Sequence, residues 1–293
     1  MALNLDSLTN YVDERKLPLI GEAVLKSKTA TLANVQTGVK YKSAINIVKT
    51  DVTLQDGSAC GFTDNGSVEL SQRIITAPAI KINQEFCHKD FLKYWTNYET
   101  RIASGDEKMP FEEYFVGQIV DSVKAQTEKL LWQGNTDAES NNLTDGFLKV
   151  LGDDAIKATA NASAFTAIKN VYMALPEEIL EKATIFVGAD TYRSFIMELM
   201  EKNLYHYSAD NANEEIYFPG TTTKVVAVNG LNGTKKIVGA DAKNLYVGCD
   251  MLDDMEQFSF WHSIDNDSYR IAISYNIGVQ VAFPHQVVVG GLA

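Results

Sequence analysis

What most constrains this chain is a pair of alternating apolar runs separated by turn signals. Val39, Tyr41, Ile45 and Ile47 fall on one face and Lys40, Lys42, Ala44 and Asn46 on the other, the period of two that a half-buried strand requires. A second run goes from Val68 through Leu70 and resumes at Ile80 and Ile82, which alternate with Lys81 and Asn83. Between the runs stand Asp56-Gly57 and Asn65-Gly66, dipeptides that supply the positive φ of tight turns. Together the runs predict one long hairpin reaching Phe86. An isolated two-stranded ribbon is marginal in water, so either the body of the protein covers it or a second subunit does.

The clearest helix runs from Pro110 to Gln133, with Phe111, Phe115, Ile119, Val123 and Leu130 near helical spacing. Pro110 suits a first turn, Glu112 and Glu113 favour the positive end of the dipole, and Gly134 is expected to supply a left-handed stop. A helix of that length extends about 36 Å, long enough to act as a spine. Gly117 inside it lowers helix stability by roughly 1 kcal/mol relative to Ala, which points to a bend or, more ordinarily, to a close packing contact. Before the ribbon, Leu5, Leu8, Tyr11 and Val12 form a short amphipathic pattern that ends at Pro18 and reads as an arm.

Beyond the spine the pattern alternates. Ser163 is placed to cap a helix that Pro176 ends, Thr184 to Val187 is a short β-branched strand, and Asp190 is expected to cap a second helix. That helix carries an apolar stripe of Tyr192, Phe195, Ile196, Leu199 and Met200. Short strands follow at Lys224 to Val228, Lys236 to Val238 and Leu245 to Val247, then a pair from Phe258 to Ile264 and Tyr269 to Ile277 joined at Asp265-Asn266-Asp267. A last β segment, Val279 to Val289, is interrupted by Pro284. No internal repeat and no Pro/Gly-rich linker divides the chain, so the body is an α+β fold built of interleaved parts.

Recognised chemistry is sparse. Gly230-Leu231-Asn232-Gly233-Thr234-Lys235 follows a strand as a phosphate loop does, but Thr234 stands where Lys is needed and Ile237 and Val238 continue as strand, so a hairpin turn is expected. Neither GxGxxG, GxSxG nor HExxH occurs. The four histidines (His88, His206, His262, His285) are dispersed. Cys87 and His88 are adjacent and so point to opposite faces of a strand, which reads as a buried thiol beside a surface histidine. Asp250, Asp253, Asp254 and Glu256 lack the spacing and glycine of a calcium loop and read as a solvated loop. No catalytic, cofactor-binding or metal-ligating residue is assigned. Cys60, Cys87 and Cys249 are odd in number and far apart, which indicates neither a disulfide framework nor a zinc knuckle.

Charge narrows the partners. With 26 basic and 38 acidic residues the net charge is −12, so no broad basic face offers phosphate neutralisation, and sequence-specific DNA binding is not expected. Tyr205, Tyr207, Tyr217 and Phe218 could stack bases, but Asp210, Glu214 and Glu215 beside them would repel phosphate. Tyrosines around an Asn/Ser loop containing Asn211 fit a protein contact better. No apolar run approaches the roughly 18 residues of a membrane span and the start has no basic n-region, so an unexported protein without a membrane partner is expected.

The order of these elements resembles the major capsid protein of tailed bacteriophages, the Hong Kong 97-type fold. The residues that carry the resemblance are Leu130-Leu131-Trp132-Gln133-Gly134-Asn135 at the end of the spine, Asp145-Gly146-Phe147-Leu148 shortly after, and Tyr269-Arg270 leading to Ile277-Gly278-Val279-Gln280-Val281-Ala282-Phe283-Pro284. It covers nearly the whole chain. The resemblance implies an N-terminal arm over residues 1–35 and an extended loop over 36–86. It implies a peripheral domain of 87–145 with 255–275, spine helix 110–133 included, and an axial α/β domain of 146–254 with 276–293.

It further implies hexamers and pentamers of this chain closing an icosahedral head around dsDNA that is enclosed without sequence-specific binding. Assembly in the host bacterial cytoplasm and a portal protein are implied too; with no scaffolding extension ahead of the arm, either scaffolding is a separate protein or the extension has been removed, and the opening Met1-Ala2 favours a separate protein. Contacts between subunits are then expected at Val39, Tyr41, Ile45, Ile47, Val68, Leu70 and Ile74 of the ribbon and at Tyr207, Asn211 and Tyr217. The role is mechanical, with no cofactor. Two other readings stand beside it: an encapsulin-like compartment shell of the same fold, and a soluble α/β enzyme with an unrecognised site.

Overall fold

The computed structural model describes residues 27–55, 66–87, 100, 111–139, 142–204, 216–250, 258–266 and 268–293. The arm pattern from Leu5 to Val12 and the acidic positions 253, 254 and 256 lie outside them, as do His88, His206 and Cys60.

In chain order, helix α1 (Lys28–Leu32) leads into strands β1 (Asn34–Thr37), β2 (Lys42–Val52), β3 (Gly66–Thr76) and β4 (Ala79–Cys87). The spine α2 (Phe111–Gln133) is followed by α3 (Phe147–Leu151), β5 (Ile156–Lys157), α4 (Ala164–Ala174), β6 (Ala183–Val187) and α5 (Ala189–Glu201). Then come β7 (Ile216–Tyr217), β8 (Lys224–Ala227), β9 (Lys236–Asp241), β10 (Leu245–Asp250), β11 (Phe258–Ser263), the 14-residue β12 (Ser268–Val281) and β13 (Val288–Gly291).

These strands form three sheets. In the first, β1, β10, β12 and β11 lie in that order and β4 also pairs with β12; in the second the order is β5-β13-β9-β6-β8-β7; the third is β2 with β3 alone. The long strand β12 organises the first sheet, pairing with β4 over Ser268 to Asn276 and with β10 over Asn276 to Val281. The expected division at 275/276 therefore falls inside one strand, and β10 shares a sheet with β4 and β11.

The hairpin expectation needs correcting. The ribbon consists of β2 and β3 and ends at Thr76; after Ala77-Pro78 the run of Ile80 and Ile82 belongs to β4, in the first sheet. Pro78, without an N–H to donate, marks the change of partner.

The spine lies on the first sheet. Val116, Ile119, Val120, Val123 and Leu130 pack with Ile80, Tyr269, Ile271, Ile273 and Tyr275 in one apolar cluster. Around the second sheet, α4 contributes Ala164, Ala167, Ile168 and Val171 and α5 contributes Phe195 and Leu199, against Ile185, Val187 and Val225. Ser163 caps α4 as expected, accepting from the Thr166 N–H at 3.2 Å. Glu198 of α5 reinforces that cap, accepting from the N–H groups of Ala164 (2.8 Å) and Phe165 (3.0 Å) and from the Ser163 hydroxyl. Burial opposes ionisation at Glu198, but the Ser163, Phe165 and Ala164 donors outweigh it and hold the carboxyl below its ordinary value.

Other expectations are revised in detail. Gly188, not Asp190, is the cap of α5, and Asp190 sits in its first turn, where a carboxylate favours the dipole. The buried stripe of α5 is Thr191, Phe195 and Leu199, with Met200 exposed. Among the described residues, a Cβ at Gly117 would meet nothing within 4 Å, so no close packing contact explains it, and α2 runs through it unbroken. Residues Asn229 to Leu231 form a 3₁₀ turn between β8 and β9, which lie on either side of β6 and do not pair with each other, so the turn is a crossover and not the hairpin expected. Cys87 is exposed, contrary to the buried thiol expected, whereas Cys249 is buried, with its thiol pushed up to about 11 by desolvation and by Asp250.

Candidate assembly surface

The end of the spine is where the described body closes on itself. Gly134 is not left-handed; it is glycine because a Cβ would lie 2.3 Å from the Thr144 carbonyl oxygen and 2.6 Å from that of Leu130. Gly146 is its counterpart, donating to the Gly134 carbonyl at 2.8 Å, with a Cβ position 2.7 Å from the Trp132 carbonyl. Two backbones thus touch where side chains cannot fit. The touch seats Phe147 against Trp132, ring centroids 5.2 Å apart, with Phe186 on Trp132 at 5.4 Å.

Trp132, fully buried, donates its indole N–H to the Thr29 hydroxyl at 2.7 Å. That hydroxyl donates to the buried Glu128 carboxylate at 2.7 Å, which also accepts from the Lys28 N–H at 2.9 Å. The buried polar atoms of this relay are paired with one another, as low-dielectric surroundings demand. Asp145 locks the loop between the glycines, accepting from the Thr136 N–H and hydroxyl and pairing with Lys149 at 2.9 Å.

The ribbon is the reverse case. Cross-strand partners share a face, and the register pairs Ile45 with Arg73, Ile47 with Ser71 and Lys49 with Glu69 on one side. On the other side Ala44 pairs with Ile74, Asn46 with Gln72, Val48 with Leu70 and Thr50 with Val68, and Val52 follows. The first side is covered at its root: Val39, Ile45, Ile47, Ile75 and Ala77 pack with Ala282 in a cluster of their own. Farther out it turns polar, with the exposed Lys49–Glu69 pair at 3.9 Å. The second side is apolar and bare. Val48 is 55% exposed, Leu70 78%, Val68 66% and Val52 78%, interrupted by Thr50 and by the hydrogen-bonded Gln72–Asn46 pair.

This separates the ribbon candidates. Val39, Ile45 and Ile47 are buried by their own chain, whereas Val68, Leu70, Ile74 and Tyr41 are exposed. Ile74, Tyr41 and the exposed Leu143 border a groove of about 320 Å³ that continues the bare side toward the end of the spine. Tyr217 is half exposed at the edge strand β7, with Lys224 over its ring. Tyr207 and Asn211 lie outside the described residues.

Val48 and Val52 were missed. They stand at even positions, where the reading from Val39 to Ile47 had put polar residues; Ala44, Val48 and Val52 carry a weaker apolar signal on that second face. Among the described residues no cluster of potential metal ligands occurs, and no helix is long and apolar enough to cross a membrane.

No protein-family model matches the chain, and no curated protein matches it in sequence. Solved structures do. A satellite phage P4 procapsid that includes the size determination protein superposes with a TM-score of 0.62 at 10% identity, over 99% of this chain and 91% of that one. The capsid of an empty GTA particle gives 0.58 at 12% identity, over 93% and 90%, and a structure from Mycobacterium phage Che8 gives 0.56 at 16%, over 90% and 91%. This chain has the Hong Kong 97-type capsid fold.

The Hong Kong 97-type fold accounts for the layout just described. Its α+β body, spine helix and extended ribbon span nearly the full length of both this chain and the capsid structures.

Proposed function

We propose that this chain is the major capsid protein of a tailed bacteriophage, assembling with copies of itself into the icosahedral head that encloses the dsDNA genome. The observation that carries the reading is the bare apolar side of the ribbon: Val48, Leu70, Val68 and Val52 stand exposed on an element that has two strands and no third among the described residues. Such a face is stable in water only when something covers it. A shell supplies a second copy at every position. The capsid architecture of the matched structures and the net charge of −12, which disfavours adhesion to packaged DNA, support the same reading.

Magnitudes explain why closure must be collective. Eleven residues of strand reach about 36 Å and two strands about 10 Å across, so the bare side offers about 350 Å². A stable pairwise interface needs about 800 Å² per partner. One ribbon contact therefore does not hold a dimer, and a closed surface in which every copy both gives and receives a ribbon does. In this reading hexamers and pentamers form the shell, a separate scaffolding protein and a portal protein join assembly in the host cytoplasm, and Tyr217, Tyr207 and Asn211 contribute axial contacts.

Electron microscopy of the expressed chain, with its scaffolding protein supplied, tests this. Closed hollow particles are expected, with nucleic acid inside those recovered from infected cells. A discrete monomer or small oligomer at high concentration overturns the shell reading. Closed particles holding an enzyme in place of nucleic acid overturn the phage reading in favour of a compartment shell.

A further inference from the structure

Both legs of the ribbon cross a short stretch of β12 where they leave the body. Asn276, Gly278 and Gln280 lie two residues apart and so share one face of that strand. The Asn276 amide donates to the Lys40 carbonyl at 2.6 Å, on the leg entering the ribbon. The Gln280 amide donates to the Ile74 carbonyl at 2.8 Å, on the leg leaving it. Between them, a Cβ on Gly278 would lie 1.9 Å from the Thr76 carbonyl oxygen and 3.0 Å from the Ala77 Cα. Across the sheet Gly278 pairs with Gly248, and a Cβ there would lie 2.6 Å from Ile75 Cδ1. Neither glycine has positive φ, so both are needed for close approach, not for backbone freedom.

Two adjacent glycines make a notch and two amides grip the legs on either side of it. The legs are also tied to each other, the Ala77 N–H donating to the Tyr41 carbonyl at 2.8 Å. We infer that Asn276, Gly278, Gln280 and Gly248 form a bracket that sets the angle at which the ribbon leaves the body, and that this angle determines whether copies close into a shell. They are positioning residues. The bare face of the ribbon supplies contact area; the bracket decides where that area points. The inference about closure rests on the shell reading above, whereas the inference about the angle does not.

Two measurements keep these apart. In a chain with Cys60 and Cys87 replaced by serine and buried Cys249 left in place, nitroxide labels at Lys49 and Asp137 report the distance from ribbon to body by pulsed electron resonance. The unsubstituted bracket is expected to give a narrow distribution. Gly278→Ala is expected to shift it, because the obstruction is backbone and has no side chain to turn aside, and N276A/Q280A to widen it about twofold. Each variant is expected to keep the cooperative thermal unfolding of the body and to lower the yield of closed particles about tenfold or more.

Gly248→Ala is expected to act likewise and to be rescued by Ile75→Val, which removes the obstructing Cδ1; failure of that rescue, with both chains folded, overturns the notch. An unchanged distance distribution in folded Gly278→Ala overturns the angle. A shifted angle with undiminished particle yield overturns the link to closure. If the parent chain forms no particles at all, the shell reading fails while the distance measurements still decide the bracket.

Discussion

The end of the spine helix and the ribbon answer one need, covering a long element, in opposite ways. At the spine end Trp132 and Leu131 are fully buried, and Glu128 and Thr29 find partners within the chain. On the described part of the ribbon the root is covered, while Leu70 and Val52 are each 78% exposed. The difference teaches where a chain in the proposed shell role keeps its stability and where it keeps its contacts. A junction that closes on itself makes the subunit a rigid unit, and an element left open makes it a component.

The comparison can be broken at its closed end first. Trp132→Ala removes a fully buried ring and the indole donor to the Thr29 hydroxyl, and about 3–5 kcal/mol of stability should go with it, read from denaturant unfolding of the free subunit. If the midpoint barely moves, the junction is not what holds the body together.

A smaller effect is expected within the second sheet. Glu198→Gln keeps an acceptor at the α4 N-terminus but loses the charge, at about 1 kcal/mol near neutral pH. The folded-state pKa of Glu198 lies below its ordinary value, so its contribution is fully present above that value and is lost as pH falls through the folded one. Unfolding titrations of the two chains should therefore converge in acid. Parallel curves would show that the carboxylate charge does not reinforce the cap.

The smallest effect on the subunit is expected at the open end. Val48→Ser with Leu70→Ser should leave the free subunit within about 0.5 kcal/mol of the parent, while particle yield collapses. A large loss of subunit stability would mean that the ribbon is already covered by its own chain, and the contrast between the two regions would disappear.

Much of the fold was legible because it depends on local pattern. The spine from Phe111 to Gln133, the Ser163 cap and the strands from Thr184 to Val247 follow from periodicity and capping chemistry, which act within a few residues, whereas Val279 to Val281, expected in a separate last segment, complete β12. The ribbon was legible as a ribbon, but not its exit at Pro78 or its bare side. Alternation says that two faces differ without saying which one the body takes. The odd face, with Ile45 and Ile47, went inward, and the even face, with Val48 and its cross-strand partner Leu70, was left out.

By itself, then, the sequence determined most of the elements and their order, since these follow from side chains spaced along one chain. Tertiary structure alone decided why Gly134, Gly146, Gly248 and Gly278 are glycine. Each stands where a Cβ would collide with atoms brought in from another segment, and such a collision is written in no local stretch of residues. The same holds for Glu128, a charged residue in a helix until Lys28 and Thr29 close over it.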